Sequence, residues 1–488
     1  MYIIVWKNHC FRIYYVKKYI LMKKYDLIII GGGAAAFAAA IKANELGATT
    51  AIINYDLPAG GTCVNVGCVP SKVLLHAAEV LHETQAHGIP GIETAVTGID
   101  FKKVIEAELS IVKSFRAEKY EKVLSKLSHV TYIEGKAQFS AKNEITVNGE
   151  TLSAENFIIA TGSKATVPPI EGIREVGYLT HIEALKLKEL PKEMVCVGGG
   201  PVALELAQVY ARFGTKVTIL QRNERIFPHG EKELIDRLLS VLESEGVTIK
   251  TNVSVKSARA ENGNKVLTYT IEEKTEEIVT DVILLAAGKT PNTADLHLEI
   301  PGVATNEKGA VIVTDVFQTN VPHIRAVGDV TNLPLRLETT AGHEGTLVAE
   351  NILQEKGNTI SYRTVPYAIF TDPGYASVGI TEDEQMKETK TCACRTVPFT
   401  QIPKAGIIGR TEGLIKMGID PKTQVIVGVH ILAPNAADLI AEAMVLIKNK
   451  NTIDDVLNME PVFPTLSEAI KYVALSFTKD LSQLSCCI

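Results

Sequence analysis

The chain of 488 residues lacks the features that would place it in several large classes. It has no basic excess: 50 Lys and Arg stand against 56 Asp and Glu, for a net charge of −6. Proteins that hold nucleic acid or an anionic membrane present a basic stripe, so neither partner is expected. Cysteine is sparse, at eight residues, which excludes a disulfide framework of the small secreted kind. The opening segment, Met1 to Met22, has no apolar run near the roughly 20 residues of a membrane span, because Lys7, Arg12, Lys17 and Lys18 interrupt it. No small-residue cleavage site follows, which argues against a signal peptide. With neither an export nor an anchor signal, the expected compartment is the cytoplasm. Residues 1–23 read as an extension from an upstream start, ahead of a domain that opens near Met22.

What remains is an ordinary globular composition, 46% apolar and 22% charged, in a chain long enough for about three domains. Tyr25 to Ile30 is a short apolar run ending at Gly31-Gly32-Gly33. A helical stretch from Ala34 to Leu46 follows, then a second apolar run from Thr49 to Ile53. Strand, glycine turn, helix, strand is a βαβ unit with a parallel sheet. The pattern returns at Met194 to Leu220 around Gly198-Gly199-Gly200. Val167-Pro168-Pro169-Ile170 marks a domain crossing, and a third region from Val365-Pro366 carries no further fingerprint. The expected fold class is therefore α/β: two Rossmann-like dinucleotide-binding domains followed by an α+β domain.

In the first unit Gly31 permits the tight turn, Gly33 lets the backbone approach a pyrophosphate, and Ala36 allows close helix–strand packing. An acidic residue that would grip ribose hydroxyls is missing. Asn54 ends the second strand instead, with Asp56 nearby. In the second unit the same roles fall to Gly198, Gly200 and Ala203. Here too the strand ends without a carboxylate, at Gln221, and Arg222 and Arg225 follow. Two guanidinium groups at that point suit the 2′-phosphate of NADPH better than the ribose of NADH.

Cys63 and Cys68 lie between the first unit and the next helix. Four residues apart, they could serve as metal ligands, as packing or as a redox pair. A zinc site would need two further ligands at matching spacing, and His76 and His82 do not supply a recognisable set. Pro70 and the periodic stretch from Val73 place Cys68 at a helix start, where the dipole lowers a thiol's pKa. A redox role is the reading that follows.

Gly60 to Lys72 resembles the redox-active segment of the pyridine-nucleotide disulfide oxidoreductases, and the resemblance extends over the chain from about Lys24. Ala160-Thr161-Gly162 and Ala286-Ala287-Gly288-Lys289-Thr290-Pro291-Asn292 are similar to that family's two crossing segments. Ala326-Val327-Gly328-Asp329 is similar to its second flavin motif, whose aspartate holds the ribityl chain. Phe370-Thr371-Asp372-Pro373 opens a segment similar to its dimerisation domain. The resemblance implies FAD on residues 24–168 and 289–363, with Gly61, Thr62, Lys72, Thr161, Gly162, Gly328 and Asp329 beside the first fingerprint. It implies NADPH on residues 169–288, with Gly288 at the site, and a homodimer built on residues 364–488. It also implies a Lys72–Glu205 ion pair beside the flavin, Cys68 as the thiolate facing the flavin, and Cys63 as the outer thiol.

Two departures bear on the substrate. Disulfide reductases of this family carry an acid–base histidine where Phe463 stands, supported by the glutamate matching Glu468. Losing general acid–base catalysis typically costs ~10²–10⁴ in rate, so an organic disulfide is disfavoured, whereas a soft cation needs thiolates and no acid. The chain also ends in Cys486-Cys487-Ile488. A dithiol on a short arm suits ligand exchange of a thiophilic ion. The tail from Phe477 is similar to that of the mercury-reducing members of the family, which implies Hg(II) as substrate. Hg(II) would then be bound by Cys486 and Cys487, acting across the subunit interface, and passed to Cys63 and Cys68. Many of those relatives have tyrosine at the position of Phe463, and some at that of Pro201. Residues 1–22 are too few for the Cys-x-x-Cys domain that many carry, so delivery is expected to rest on the tail. Cys392 and Cys394 have metal-ligand spacing but read as incidental, like Cys10 and Cys196. Two other readings compete: a large-type thioredoxin reductase, which would keep the histidine, and a flavoprotein that sequesters metal without turnover.

Overall fold

Leu27 to Ile30 are buried on both faces, as a central parallel strand must be. In the computed structural model, the strand Lys23–Ile30 pairs in parallel with Thr50–Asn54 on one side and Glu150–Ile159 on the other. The structure describes residues 23–485 throughout, and residues 2–7 and 10–15 as two antiparallel backbone strands. Cys486, Cys487 and the rest of the N-terminal extension, on which several expectations fall, lie outside the described residues. Glu150–Ile159 also pairs in parallel with Ile324–Ala326. A chain segment some 300 residues downstream thus returns to the first glycine turn and brings Gly328 and Asp329 with it.

The second unit repeats this plan as a four-stranded parallel sheet of Thr248–Lys250, Lys216–Leu220, Glu193–Val197 and Val282–Leu285. Both fingerprints depend on a left-handed glycine. Gly31 (φ +133°) and Gly198 (φ +115°) would place a Cβ 2.1 Å from the Ala160 carbonyl oxygen and 2.4 Å from the Ala286 carbonyl oxygen, respectively. No L side chain fits there. The third region is a five-stranded antiparallel sheet from Tyr367–Ile369 to Ala393–Pro398, with the helices Ala436–Lys448 and Glu468–Leu475 packed in its core.

The units meet through helices. Cys68–Ala86 packs on Pro201–Arg212, and Leu74, Ala78, Leu204 and Tyr210 share one core. Gln208 and Arg212 of the same nucleotide-side helix grip the start of the third region. The Asp372 N–H donates to Gln208 Oε1 (2.8 Å), and Arg212 is ion-paired with both Glu245 and Asp372. Among the described residues, one stretch, Gly61–Ala86, is long and apolar enough to cross a membrane. It is two helices broken at Gly67, and its apolar face is spent on this interface.

One buried group works against the fold. In the helix Phe101–Arg116 the buried stripe is Phe101, Ile105, Glu108 and Val112, so a carboxyl occupies an apolar position. Glu108 is 1% exposed and its Oε2 has no hydrogen-bond partner. Burial raises its pKa to about 7, against a weak opposing pull from Lys186. A raised folded-state pKa means that the unfolded chain ionises first. The group's contribution to stability is therefore intact in acid, falls as pH rises from about 4.5 to about 7, and stays lost above that. Glu108→Gln should stabilise the protein at pH 8 by about 1–3 kcal/mol and have little effect at pH 5. Thermal unfolding at the two pH values checks this.

Candidate active site

The first glycine turn and the cysteine segment are built against each other. The Gly60 N–H donates to the Gly32 carbonyl at 2.8 Å. A Cβ on Gly61 would lie 2.7 Å from Gly33 Cα. The helix Ala34–Glu45 starts at Gly33 with no side-chain cap and no acidic residue in its first turn, so its amides and dipole face the turn open to an anion. This glycine-walled, uncapped helix start fits the pyrophosphate of a dinucleotide.

Around it, the crossing segments zip together. Thr161 Oγ1 donates to the Asn292 carbonyl at 2.8 Å, and Asn292 Nδ2 returns a bond to the Thr161 carbonyl at 3.0 Å. Asp329 accepts the Ser163 hydroxyl on Oδ2 at 2.8 Å, which leaves Oδ1 for a ligand hydroxyl. Gly328 is fixed by its N–H bond to the buried Glu344 carboxylate at 2.6 Å. Asn54 is constrained more than its sequence position suggests. Its two amide hydrogens go to the Leu57 carbonyl (2.6 Å) and the Tyr132 hydroxyl (2.8 Å), so only its acceptor oxygen could meet a ribose. Thr62 is exposed beside this turn.

Cys63 does not lie in a loop. It sits in a short helix, Gly61–Val66, pinned by Asn65, whose Nδ2 reaches the Pro58, Ala59 and Gly61 carbonyls while Oδ1 accepts from Arg116. Gly67 breaks the chain direction, and Cys68 opens the long helix Cys68–Ala86. A Cβ on Gly67 would press to 2.9 Å from the Thr62 carbonyl oxygen, so the reversal that brings the two cysteines together needs glycine. Both are free thiols, Cys68 exposed and Cys63 half-buried.

Their acidities diverge. The Cys63 thiol donates to the Cys68 sulfur, and this bond, then Lys72, draws the Cys68 pKa down despite partial burial. Cys63 is driven up by the same bond, by burial and by the negative charge of Cys68. Of the two, Cys68 is therefore the sulfur that ionises first, and Cys63 the one that keeps its proton. Lys72 is fixed one turn along by Glu205, Nζ to Oε2 at 2.8 Å, and lies 4.2 Å from the centre of the Phe370 ring. Glu205 is 7% exposed, and its second oxygen takes the Phe370 N–H at 2.9 Å.

Other groups near the pair were not singled out from sequence. Lys289 feels the charges of both Asp329 and Cys68, and burial lowers its pKa. It lies 3.2 Å from Nε2 of the buried His181. That residue follows Gly288 inside the second crossing segment, so the segment was the available signal. Glu338, at the start of the helix Glu338–Leu353, bears electrostatically on both cysteines. Nothing in the local sequence links it to residues 63–68.

On the nucleotide side, Gly200 opens an uncapped helix with Pro201 at its first position, and Gly288 (φ +109°) has open space where a Cβ would be. Ala203 is fully buried. Arg222 is exposed, whereas Arg225 is turned partly inward, 3.4 Å from Asp383. At the other end of the chain Phe463 is 47% exposed. The buried Glu468 carboxylate takes the Thr465 N–H at 2.8 Å. That bond closes the turn from Thr465 to Glu468.

The sequence profile of the pyridine nucleotide-disulphide oxidoreductases matches residues 25–346, and that of their dimerisation domain matches residues 365–474. The chain is 37% identical over 464 residues to a mercuric reductase of Staphylococcus aureus, covering 95% of this chain and 84% of that protein. It is 35% identical over 459 residues to the mitochondrial dihydrolipoyl dehydrogenase 1 of Arabidopsis thaliana, covering 92% and 90%. Among solved structures it resembles the Cu(II) complex of the HOCl-induced flavoprotein disulfide reductase RclA from Escherichia coli, with TM-score 0.84, 28% identity and coverage of 94% and 100%.

The divergent thiol acidities are directly testable. In the reduced protein, Lys72→Met and Cys63→Ala should each raise the pH at which Cys68 becomes reactive, slowing its alkylation at neutral pH by about tenfold or more. Peptide mapping of iodoacetamide labelling against pH measures this. A Cys68 profile unchanged in both variants would contradict the arrangement.

Proposed function

Because the chain belongs to the pyridine nucleotide-disulphide oxidoreductases, we propose that it uses NADPH to reduce Hg(II) to Hg(0) at Cys63 and Cys68, with Cys486 and Cys487 delivering the ion. FAD, when bound, supplies the two-electron link between the nicotinamide and the thiol pair. The observation that carries the choice of substrate is the pairing of Phe463 with a Glu468 already committed to the Thr465 amide. Phe463 has no proton to give to a departing thiolate, which disulfide exchange requires. A thiophilic cation makes the opposite demand, since its ligands must lose protons.

The pair is set up for that demand. Cys68 is held toward thiolate by Cys63 and Lys72, which eases the loss of protons that Hg(II) binding requires. Overall, NADPH and Hg²⁺ give NADP⁺, H⁺ and Hg(0). Lys72 and Glu205 stay paired, keeping a positive charge beside Cys68 in its free form. The open helix start at Gly200 receives the nucleotide's pyrophosphate, and the exposed Arg222 meets the 2′-phosphate. The dimerisation domain brings two chains together, so a tail from one can serve the pair of the other. A dithiol that must stay reduced suits the cytoplasm, and no part of the chemistry calls for nucleic acid or membrane.

Anaerobic NADPH oxidation by the holoenzyme with Hg(II) in excess thiol tests the reading. Wild type should turn over. Cys63→Ala should lose at least ~10³-fold, and Cys486→Ala/Cys487→Ala should lose most of its turnover with Hg(II)–thiol complexes. No Hg(II)-dependent oxidation, with brisk reduction of lipoamide-type or thioredoxin disulfides, would move the protein to the disulfide reductases. Tight Hg(II) binding without NADPH oxidation would make it a sequestering protein. Separately, Arg222→Ala should raise KM for NADPH about tenfold and leave KM for NADH unchanged.

A further inference from the structure

The third domain carries a second thiol pair that the proposed reaction does not use. Cys392 and Cys394 flank Ala393 where the chain enters the strand Ala393–Pro398, at the edge of the five-stranded sheet. Residues two apart in an extended chain point to one side, so both thiols face the helix Glu382–Thr389. Cys392 Sγ lies 3.3 Å from Glu382 Oε1, and Cys394 Sγ lies 3.8 Å from Gln385 Oε1. The two sulfurs and a Glu382 oxygen all lie within 4.8 Å of one another.

Metal–sulfur bonds of about 2.3 Å span roughly 3.8 Å across a tetrahedral centre and roughly 4.6 Å across a linear one. A cluster of this size therefore closes on an ion with small side-chain rotations. A disulfide fits less well. Extended residues two apart have Cα atoms about 6.6–6.8 Å from each other, at the far edge of the disulfide range.

We propose that Cys392, Cys394 and Glu382 form a second site for a thiophilic divalent cation, separate from the redox pair and independent of the identity of its substrate. The surroundings suit one. Glu382 is held in place from behind, with Lys416 Nζ hydrogen-bonded to its Oε2 and, at 2.9 Å, to Glu231, which leaves Oε1 directed at Cys392. Lys416 is itself buried, and its charge is shared among Glu382, Glu231 and Glu233. All three candidate ligands are half-buried, so the site is reachable from solvent yet shielded on one side. Burial and Glu382 hold both thiols in the protonated form in the free protein. Binding breaks two S–H bonds, forms two metal–sulfur bonds and releases two protons to water, and no electrons move. Soft ligands of this kind select Cd(II), Zn(II) and Hg(II) over the hard cations.

Cd(II) is the probe, because its thiolate complexes absorb in the near ultraviolet and it is not reduced by NADPH. The full-length holoenzyme, oxidised so that Cys63 and Cys68 are joined, should take up one more Cd(II) per chain than Cys392→Ser/Cys394→Ser. Glu382→Gln should keep the stoichiometry and weaken that site about tenfold. In the wild-type protein Cd(II) should protect the peptide carrying both cysteines from alkylation, a measurement that does not depend on any variant folding. Equal Cd(II) uptake in wild type and the double variant, or full-rate alkylation of Cys392 and Cys394 in the presence of Cd(II), would overturn the assignment.

Discussion

The Glu205 carboxylate is the contact on which the rest of the site depends. It is buried in the helix of the nucleotide-side unit, and its two oxygens are divided between two other parts of the chain. One takes Lys72 from the cysteine helix and the other takes the Phe370 N–H from the start of the third region. A buried charge persists only when paired, and removing one partner of such a pair typically costs about 3–5 kcal/mol, less where, as here, Lys72 is a third exposed. The three units therefore hold their register around one group. The shared core of Leu74, Ala78, Leu204 and Tyr210 brings the helices close, but apolar packing alone tolerates small slips. The ion pair does not, because a slip would strand the carboxylate.

This fixed register sets the chemistry one turn away. Lys72 is held by Glu205, and its charge favours the thiolate form of Cys68. The asymmetry between the cysteines then follows from geometry. Gly67 permits the reversal that puts Cys63 within reach of the Cys68 sulfur, and one shared proton pushes the two acidities apart. Removing the reversal, the bond or the cation would narrow the gap between the two acidities.

Much of this was legible from sequence, because glycine leaves a strong trace. Gly31 and Gly198 mark turns that no other residue can make, and the residues leading into them, Leu27–Ile30 and Met194–Val197, are apolar and buried, as central parallel strands require. The start of a helix at Cys68 followed from Pro70 and the periodicity after it. Other features carried no local signal. Cys63 sits in a helix of only six residues, too short for periodicity to register, and held by side-chain bonds from Asn65 rather than by propensity. Lys289 and Glu338 approach the cysteines from more than 200 residues away, a juxtaposition that only the return of the chain to the first sheet creates. The Cys392–Cys394 pair read as incidental because its third partner, Glu382, belongs to a helix whose packing on the sheet edge is a tertiary fact.

A protein of this architecture commits to a substrate through what it does with protons rather than through its thiols. Splitting a disulfide consumes a proton at the leaving sulfur, so a site for that task must keep an acid close by and oriented. Binding a soft cation releases protons, so the same thiols serve best with no acid opposite and one sulfur already ionised. The proposed reduction of a soft cation rests on the second requirement. Cys68 is biased toward thiolate by a cation fixed in place. Glu468, the residue that could orient an imidazole, is buried and engaged with a backbone amide beside a phenylalanine. Phe463 is thus more than a missing histidine. In the proposed reading it withholds the acid–base imidazole that would reprotonate a departing thiolate, which disfavours a disulfide relative to a metal ion as substrate.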